Sequence, residues 1–312
     1  MRWCSWTSAE GGGLGRLGAV MTRDGEDHLL DVASWAASRD AEVPQDLVDL
    51  VESSPATQER VTAMAQSAPD DATGWKRLAD VRLLAPLRAP NSLRDFIAFR
   101  DHVERGASRR GSTVPEPWDR LPVYYKGNRR SISGPGDDVG WPSYTEKLDY
   151  ECEVAAVVGR AGRDWGLAEA ERAIFGYTIM NDWSARDIQR DEMACWLGPA
   201  KGKDFNTTLG PVVITPDEWS AEDAHDMTVL VDGAVWSRGS TAGRRWTFAE
   251  MLAHVSRDED VYPTDVLGSG TFGGGCGLDI DRWLSPGATV TLAVEGLGEL
   301  TNTVVRRMAP PA

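Results

Sequence analysis

The sequence predicts a β-rich α+β fold, and three observations carry that expectation. Apolar residues recur in short alternating runs, 32 glycines and 17 prolines punctuate those runs, and only a few segments keep helical periodicity. Residues 14–20 and 28–32 read as a strand pair around a polar turn at 23–27. Residues 45–67 look helical, because Leu47, Leu50, Val51, Val61 and Met64 recur at roughly i, i+3, i+4. Residues 81–86 form a strand stopped by Pro86. Residues 1–80 are therefore read as a small N-terminal α+β domain that carries no visible chemistry, and residues 81–312 as the larger domain. In the latter, 149–158, 177–180, 212–215, 227–231, 266–269 and 289–294 read as strands. Residues 167–174 read as a short helix, and 246–255 as a second helix with Thr247 as its cap.

Charge and composition narrow the function. The 33 Lys and Arg against 48 Asp and Glu give a net charge of −15. That balance argues against nucleic acid and against an anionic membrane surface, both of which recruit clustered basic residues. No run approaches the ~18 apolar residues of a spanning helix. The first residues lack the apolar core of a signal peptide, so a cytoplasmic chain is expected. Cys4, Cys152, Cys195 and Cys276 are dispersed and read as buried thiols without zinc-ligand spacing.

Five segments bear chemistry. In 148–159, Glu151 and Glu153 fall two apart on a strand and share a face with Asp149, and Ala155 and Val157 continue that face. A solvated strand face is one reading; a hard cation, Mg²⁺ or Ca²⁺, held by oxygen ligands is the other. In 181–189, Asp182 at a strand end either points into a site or caps a following helix. In 198–211, Lys203 sits in a glycine-rich loop that is one residue short of a phosphate-binding P-loop, with Asp204 at the Ser/Thr position. It reads as an ordinary surface lysine or as an anion contact. Gly268, Gly270 and Gly273 match G-x-G-x-x-G, but no helical pattern follows, so a loop approaching a ligand, with Thr271 as a polar contact, replaces the dinucleotide reading. In 92–104, His102 lies among charged residues, either on a solvated helix face or as a general base.

Together these segments resemble the fumarylacetoacetate hydrolase family. The resemblance rests on L-D-Y-E-x-E-x-A-x-V-x-G from Leu148, N-D-W-S-A-R-D-x-Q from Asn181, G-P-x-x-G-K-x-F-x-T-x-x-G-P from Gly198, the G-S-G-T loop at Gly268 and Gly134-Pro135-Gly136-Asp137. It spans roughly residues 75–305. It implies a mixed β-sandwich roll preceded by a small domain, a homodimer, a small oxo-acid substrate, and Mg²⁺ (or Ca²⁺ or Mn²⁺) as cofactor. By resemblance, Glu151, Glu153 and Asp182 match metal ligands and Asp95 a further acidic position that reaches the metal. Lys203 and Thr207 match positions beside the metal. His102 matches the histidine that activates water, and Tyr125, Gln189 and Thr271 match positions near substrate. Arg109 or Arg110 matches a carboxylate-binding arginine, and the charged segment around His102 reads as a lid.

The expected reaction is metal-dependent hydrolysis of a C–C bond in a fumarylacetoacetate- or acylpyruvate-like 1,3-dicarbonyl or 2-oxo acid. Decarboxylation, isomerisation or hydration of 2-oxo (di)acids from aromatic catabolism is the alternative. Three departures stand out: Asp279 where the family often has Glu, Thr264 in Y-P-T-D where Y-P-G-D is common, and Ala288 in P-G-A where P-G-D is common. The partner of His102 is expected to be Asp279, with Glu104 as the other candidate.

Overall fold

Alternating apolar runs at the N-terminus form strands that join the main sheet. The computed structural model describes residues 1–9, 11 and 15–306. β1 (Arg2–Ser8) is followed by the hairpin β2 (Arg16–Arg23) and β3 (Glu26–Asp31), whose tip is only Asp24-Gly25, both at positive φ. Leu14, the expected first residue of that pair, lies outside the described residues. α1 (Val32–Ala37) leads to α2 (Leu47–Glu52) and α3 (Pro55–Gln66). The 45–67 region is thus two helices. The break falls at Ser53-Ser54, because Pro55 takes the first turn of α3 and Ser54 caps it by accepting from the Thr57 N–H.

β4 (Trp75–Arg77), β5 (Val81–Leu84) and β6 (Leu93–Phe96) precede α4 (Arg100–Arg109), then come β7 (Tyr124–Lys126), β8 (Ile132–Ser133) and β9 (Asp138–Trp141). The acidic segment gives β10 (Leu148–Asp149) and β11 (Cys152–Val158). α5 (Leu167–Ala173), β12 (Ile174–Asn181), β13 (Ser184–Ala185), α6 (Arg186–Ala194) and β14 (Thr207–Ile214) follow. The C-terminal part holds β15 (Asp226–Val231), β16 (Ala234–Ser240), α7 (Phe248–Val255), β17 (Val266–Gly268), α8 (Gly277–Ile280), β18 (Thr289–Val294) and β19 (Gly298–Arg306). Thr247 caps α7 in a capping box with Glu250.

Twelve strands make one mixed sheet, in the order β4-β3-β2-β1-β14-β12-β11-β17-β6-β7, with β5 on β1 and β8 on β14. A second sheet runs β16-β15-β18-β19-β9. β11 is buried along its whole length, as a central strand covered on both faces must be. Its even positions, Val154, Ala156 and Val158, pack with Val229, Val290 and Leu292 of the second sheet. Ala155 and Val157 pack on the other face with Leu47, Leu50 and Val61 from the N-terminal helices. Burying each of these valine and leucine side chains stabilises the fold by about 1.5–3 kcal/mol.

Thr264 explains one departure from the family pattern. Its φ is +67°, a conformation that glycine adopts without strain and a β-branched residue rarely does. Its hydroxyl accepts the Asn91 backbone N–H at 3.2 Å.

Candidate metal centre

Four carboxylates from three separate stretches of chain converge. Asp95 sits on β6, parallel to β17 and in register with Gly268, and β17 pairs Gly268 with Ala155 of β11. Glu153 lies on β11 and Glu151 just before it, where Glu151 makes a lone bridge to Cys276. Asp182 follows β12, its N–H donating to the Glu151 carbonyl at 3.3 Å. One oxygen from each of Asp95, Glu151, Glu153 and Asp182 lies within 4.8 Å of the other three, and all four residues are buried. The solvated-face reading of Glu151 and Glu153 does not hold. Asp182 caps no helix, since α6 begins at Arg186 after Ala185.

Asp149 departs from expectation. The strand is interrupted at Tyr150-Glu151, β10 pairs with β13 rather than β12, and Asp149 leaves the face of the two glutamates. Its carboxylate instead accepts Arg186 Nε at 2.8 Å and the backbone N–H groups of Gly277 and Leu278 at 2.7 and 2.9 Å. Arg186 also donates through Nη2 to Glu151 Oε1 at 2.7 Å and through Nη1 to Gln189 Oε1 at 3.0 Å. The sequence reading passed over Arg186; its position in the first turn of a helix after an acidic strand end was the available signal.

Lys203 is buried, not a surface residue. Its ammonium donates to Glu151 Oε2 at 2.6 Å and to Asp182 Oδ2. Burial works against its charge, but Asp182 and Glu151 outweigh burial and hold its pKa above the ordinary lysine value. A protonated amine has no lone pair to give, so Lys203 is a counter-charge here rather than a metal ligand. Glu151 is likewise opposed by burial, yet Arg186 and Lys203 bring its pKa below the usual carboxylate range. Tyr125 donates its hydroxyl to Asp182 Oδ1 at 2.7 Å.

Two positive groups do not balance four carboxylates. Burial, with the Asp182 charge next, lifts Asp95 well above the ordinary range. Burial, then Asp95 and Asp182, does the same for Glu153. Asp95 Oδ1 and Glu153 Oε1 are buried without any hydrogen-bond partner. Orphaned carboxylate oxygens in a cluster of excess negative charge fit a hard divalent cation with oxygen ligands. Gly268 makes the convergence possible: a Cβ there would meet Met180 Cε at 2.2 Å and Asp95 Oδ1 at 2.3 Å.

His102 lies on α4, a helix with Val103 and Ala107 buried, so the segment read as a lid is a packed helix. The His102 side chain is 13% exposed, and its Nδ1 is 2.9 Å from Asp279 Oδ2. Glu104 instead faces Arg100, 3.7 Å away. Asp279 Oδ2 also accepts the Gly274 N–H at 2.9 Å. Arg109, not Arg110, reaches this corner, donating to the Asp279 carbonyl at 3.3 Å. Arg110 is the exposed residue that ends α4. Thr271 donates to the Cys152 carbonyl at 3.0 Å, and Thr207 is buried at the start of β14.

Residues 92–305 match the fumarylacetoacetate (FAA) hydrolase C-terminal family model. The chain is 28% identical over 243 residues to oxaloacetate tautomerase YisK of Bacillus subtilis, covering 76% of this chain and 78% of the relative. Among solved structures, 5-carboxymethyl-2-hydroxymuconate delta-isomerase from Mycobacterium smegmatis is 27% identical with a TM-score of 0.70, covering 98% of this chain and all of the other. The fumarylacetoacetate hydrolase of Exiguobacterium antarcticum is 26% identical with a TM-score of 0.74 and the same coverage. The relatives are thus enzymes named as tautomerase, isomerase and hydrolase. On the family match and the strand-rich fold together, this chain belongs to the fumarylacetoacetate hydrolase family.

Proposed function

We propose that the chain is a divalent-metal-dependent hydrolase that cleaves a C–C bond in an acylpyruvate- or fumarylacetoacetate-like 2-oxo acid. The observation that carries this reading is the His102–Asp279 pair beside the carboxylate cluster, an arrangement that can serve as the base toward a water attacking the substrate carbonyl. Asp95, Glu151, Glu153 and Asp182 would hold Mg²⁺, or Ca²⁺ or Mn²⁺ in its place. When bound, that cation supplies Lewis acidity to a chelating dicarbonyl and so stabilises the enolate that departs.

The chain's own residues do the remaining work. His102 takes a proton from water, whose oxygen becomes part of the carboxylic acid product, and the proton is then available to the departing carbon. Asp279 orients the imidazole and stabilises its charged form. The Lys203 ammonium, fixed between Glu151 and Asp182, offsets negative charge growing on substrate oxygen. Arg186 holds both Glu151 and Gln189 in place. Tyr125, Gln189, Thr271 and Arg109 are the proposed substrate contacts.

A second reading is a tautomerase, isomerase, hydratase or decarboxylase acting on 2-oxo (di)acids. The relative named as an oxaloacetate tautomerase favours it, and so does the chemistry: the same enolate without attacking water gives these outcomes. The deciding assay incubates acylpyruvates and oxaloacetate with the Mg²⁺-loaded chain in D₂O and follows products by NMR. A carboxylic acid plus pyruvate supports hydrolysis. Deuterium exchange or loss of CO₂ above the rate in Mg²⁺ without the chain, and without those fragments, transfers the assignment to the second reading. The proposed setting is cytoplasmic, and the proposed assembly a homodimer. Trp196 and Leu197, 94% and 78% exposed, give an apolar patch that a second copy would cover; sedimentation tests it.

A further inference from the structure

A second group of ligand atoms lies beside the carboxylate cluster and differs from it in kind. His102, Cys276 and Asp279 each offer one atom within 4.8 Å of the other two. Cys276 is fully buried, pairs with no other cysteine, and has no part in the reaction derived above. Asp279 Oδ2 is engaged by His102 and Gly274, but Asp279 Oδ1 is buried with no partner, and the side chain as a whole is fully covered. The backbone holds the three side chains together: Cys276 precedes α8 and Asp279 lies on it, while α4 packs alongside with His102.

The donor sets differ in hardness. Four carboxylates suit Mg²⁺, Ca²⁺ or Mn²⁺. Thiolate, imidazole and carboxylate suit a softer ion that prefers four-coordinate geometry, with Zn–S of about 2.3 Å and Zn–N of about 2.0 Å. Ligand atoms on such a tetrahedron sit on the order of 3.5 Å apart; the three atoms here lie within 4.8 Å of one another. Three protein ligands leave the fourth position for water or a substrate oxygen.

We propose that His102, Cys276 and Asp279 form a second, thiophilic cation site for Zn²⁺ or Cd²⁺, and that filling it stops turnover by taking the His102 lone pair. The site stands on the geometry alone; its inhibitory consequence rests on His102 acting as the base. On binding, the thiol proton leaves to solvent and the sulfur becomes a ligand.

The test adds Co²⁺ to the full chain already saturated with Mg²⁺. One equivalent should bring up a thiolate-to-cobalt charge-transfer absorption in the near ultraviolet. The carboxylate cluster, which has no sulfur, cannot give that band. The band should survive Cys195→Ser, which removes the exposed thiol, and disappear in Cys276→Ser. Zn²⁺ should inhibit at saturating Mg²⁺, and Cys276→Ser should need more than about tenfold more Zn²⁺ for half-inhibition, at least the loss seen when a merely supporting partner is removed. If Cys276→Ser does not fold, His102→Ala takes its place, and Co²⁺ affinity must then fall by at least about tenfold. No thiolate band in the wild-type chain overturns the proposal, as does a band kept in Cys276→Ser or inhibition relieved by raising Mg²⁺. A band with undiminished turnover keeps the site and counts instead against His102 as the base.

Discussion

Arg186 and Asp149 form a buried ion pair, Nε to Oδ2 at 2.8 Å, that ties the two halves of the site together. On one side the same guanidinium holds Glu151 of the carboxylate cluster. On the other, Asp149 accepts the first two N–H groups of α8, the helix that carries Asp279. A buried pair broken on one side costs about 3–5 kcal/mol. Arg186→Met should therefore lower unfolding free energy in urea by that order and weaken cation binding in the same protein, both read against the wild type. Unchanged stability would mean that Asp149 and Glu151 find other partners.

Removing the cation should abolish turnover while the fold survives. A ligand that binds only the native state at 100 times its Kd adds about 2.7 kcal/mol, so EDTA followed by dialysis should lower the melting temperature by several degrees. Glu153→Gln should behave in the opposite sense without metal, melting higher because one repelling carboxylate is gone, and should no longer respond to Mg²⁺. Calorimetry on the four samples decides.

The cation-free protein should gain stability on mild acidification. Asp95 and Glu153 have folded pKa values raised above their unfolded ones, by burial first and by neighbouring carboxylates second. Between the unfolded and the folded value the native state binds more protons, so stability falls as pH rises through that window. Glu151 has the opposite sign: its pKa is lowered, and its contribution is lost as pH falls below the ordinary carboxylate range. Cation-free stability should thus climb from pH 7 towards pH 5 and collapse at lower pH. Mg²⁺ affinity should weaken over the same climb. A melting temperature flat from pH 7 to 5 would contradict this.

His102→Ala should reduce hydrolysis by about 10²–10⁴-fold, the range of a general base, and leave cation binding intact. Asp279→Asn should fall part of the way. Solvent-deuterium exchange into the substrate separates the steps, since enolisation should continue in both variants if His102 serves only the water.

Gly268→Ala should destroy the centre without replacing a ligand. Its new methyl would press on Met180, Asp95 and Glu153 together, so isothermal titration should show Mg²⁺ affinity lost even where circular dichroism shows a native fold.

Much of this was legible in the sequence, and the failures have physical causes. Glu153 with Ala155 and Val157 follows strand alternation, so its face was readable from period two alone. Asp149 misled because alternation holds only inside one strand, and the chain bends at Tyr150 before Glu151. Asp182 and Lys203 looked bland singly; what buries them is strand order, which no local window contains. Pro55 should have split the 45–67 helix, since a proline of this kind marks a first turn. Cys276 read only as a buried thiol because its proximity to His102, 174 residues earlier in sequence, arises only from packing of α4 on α8.

The parallel pairing of β6 with β17 has a consequence for how the protein is made. Asp95 is placed by Gly268, which emerges from the ribosome 173 residues later. Until then a nascent chain carries Glu151, Glu153 and Asp182 with one wall of their pocket missing. Because chains fold as they appear, N-terminal parts first, the four carboxylates come together only once β17 has been made, and the proposed cation would be taken up after that point rather than before it.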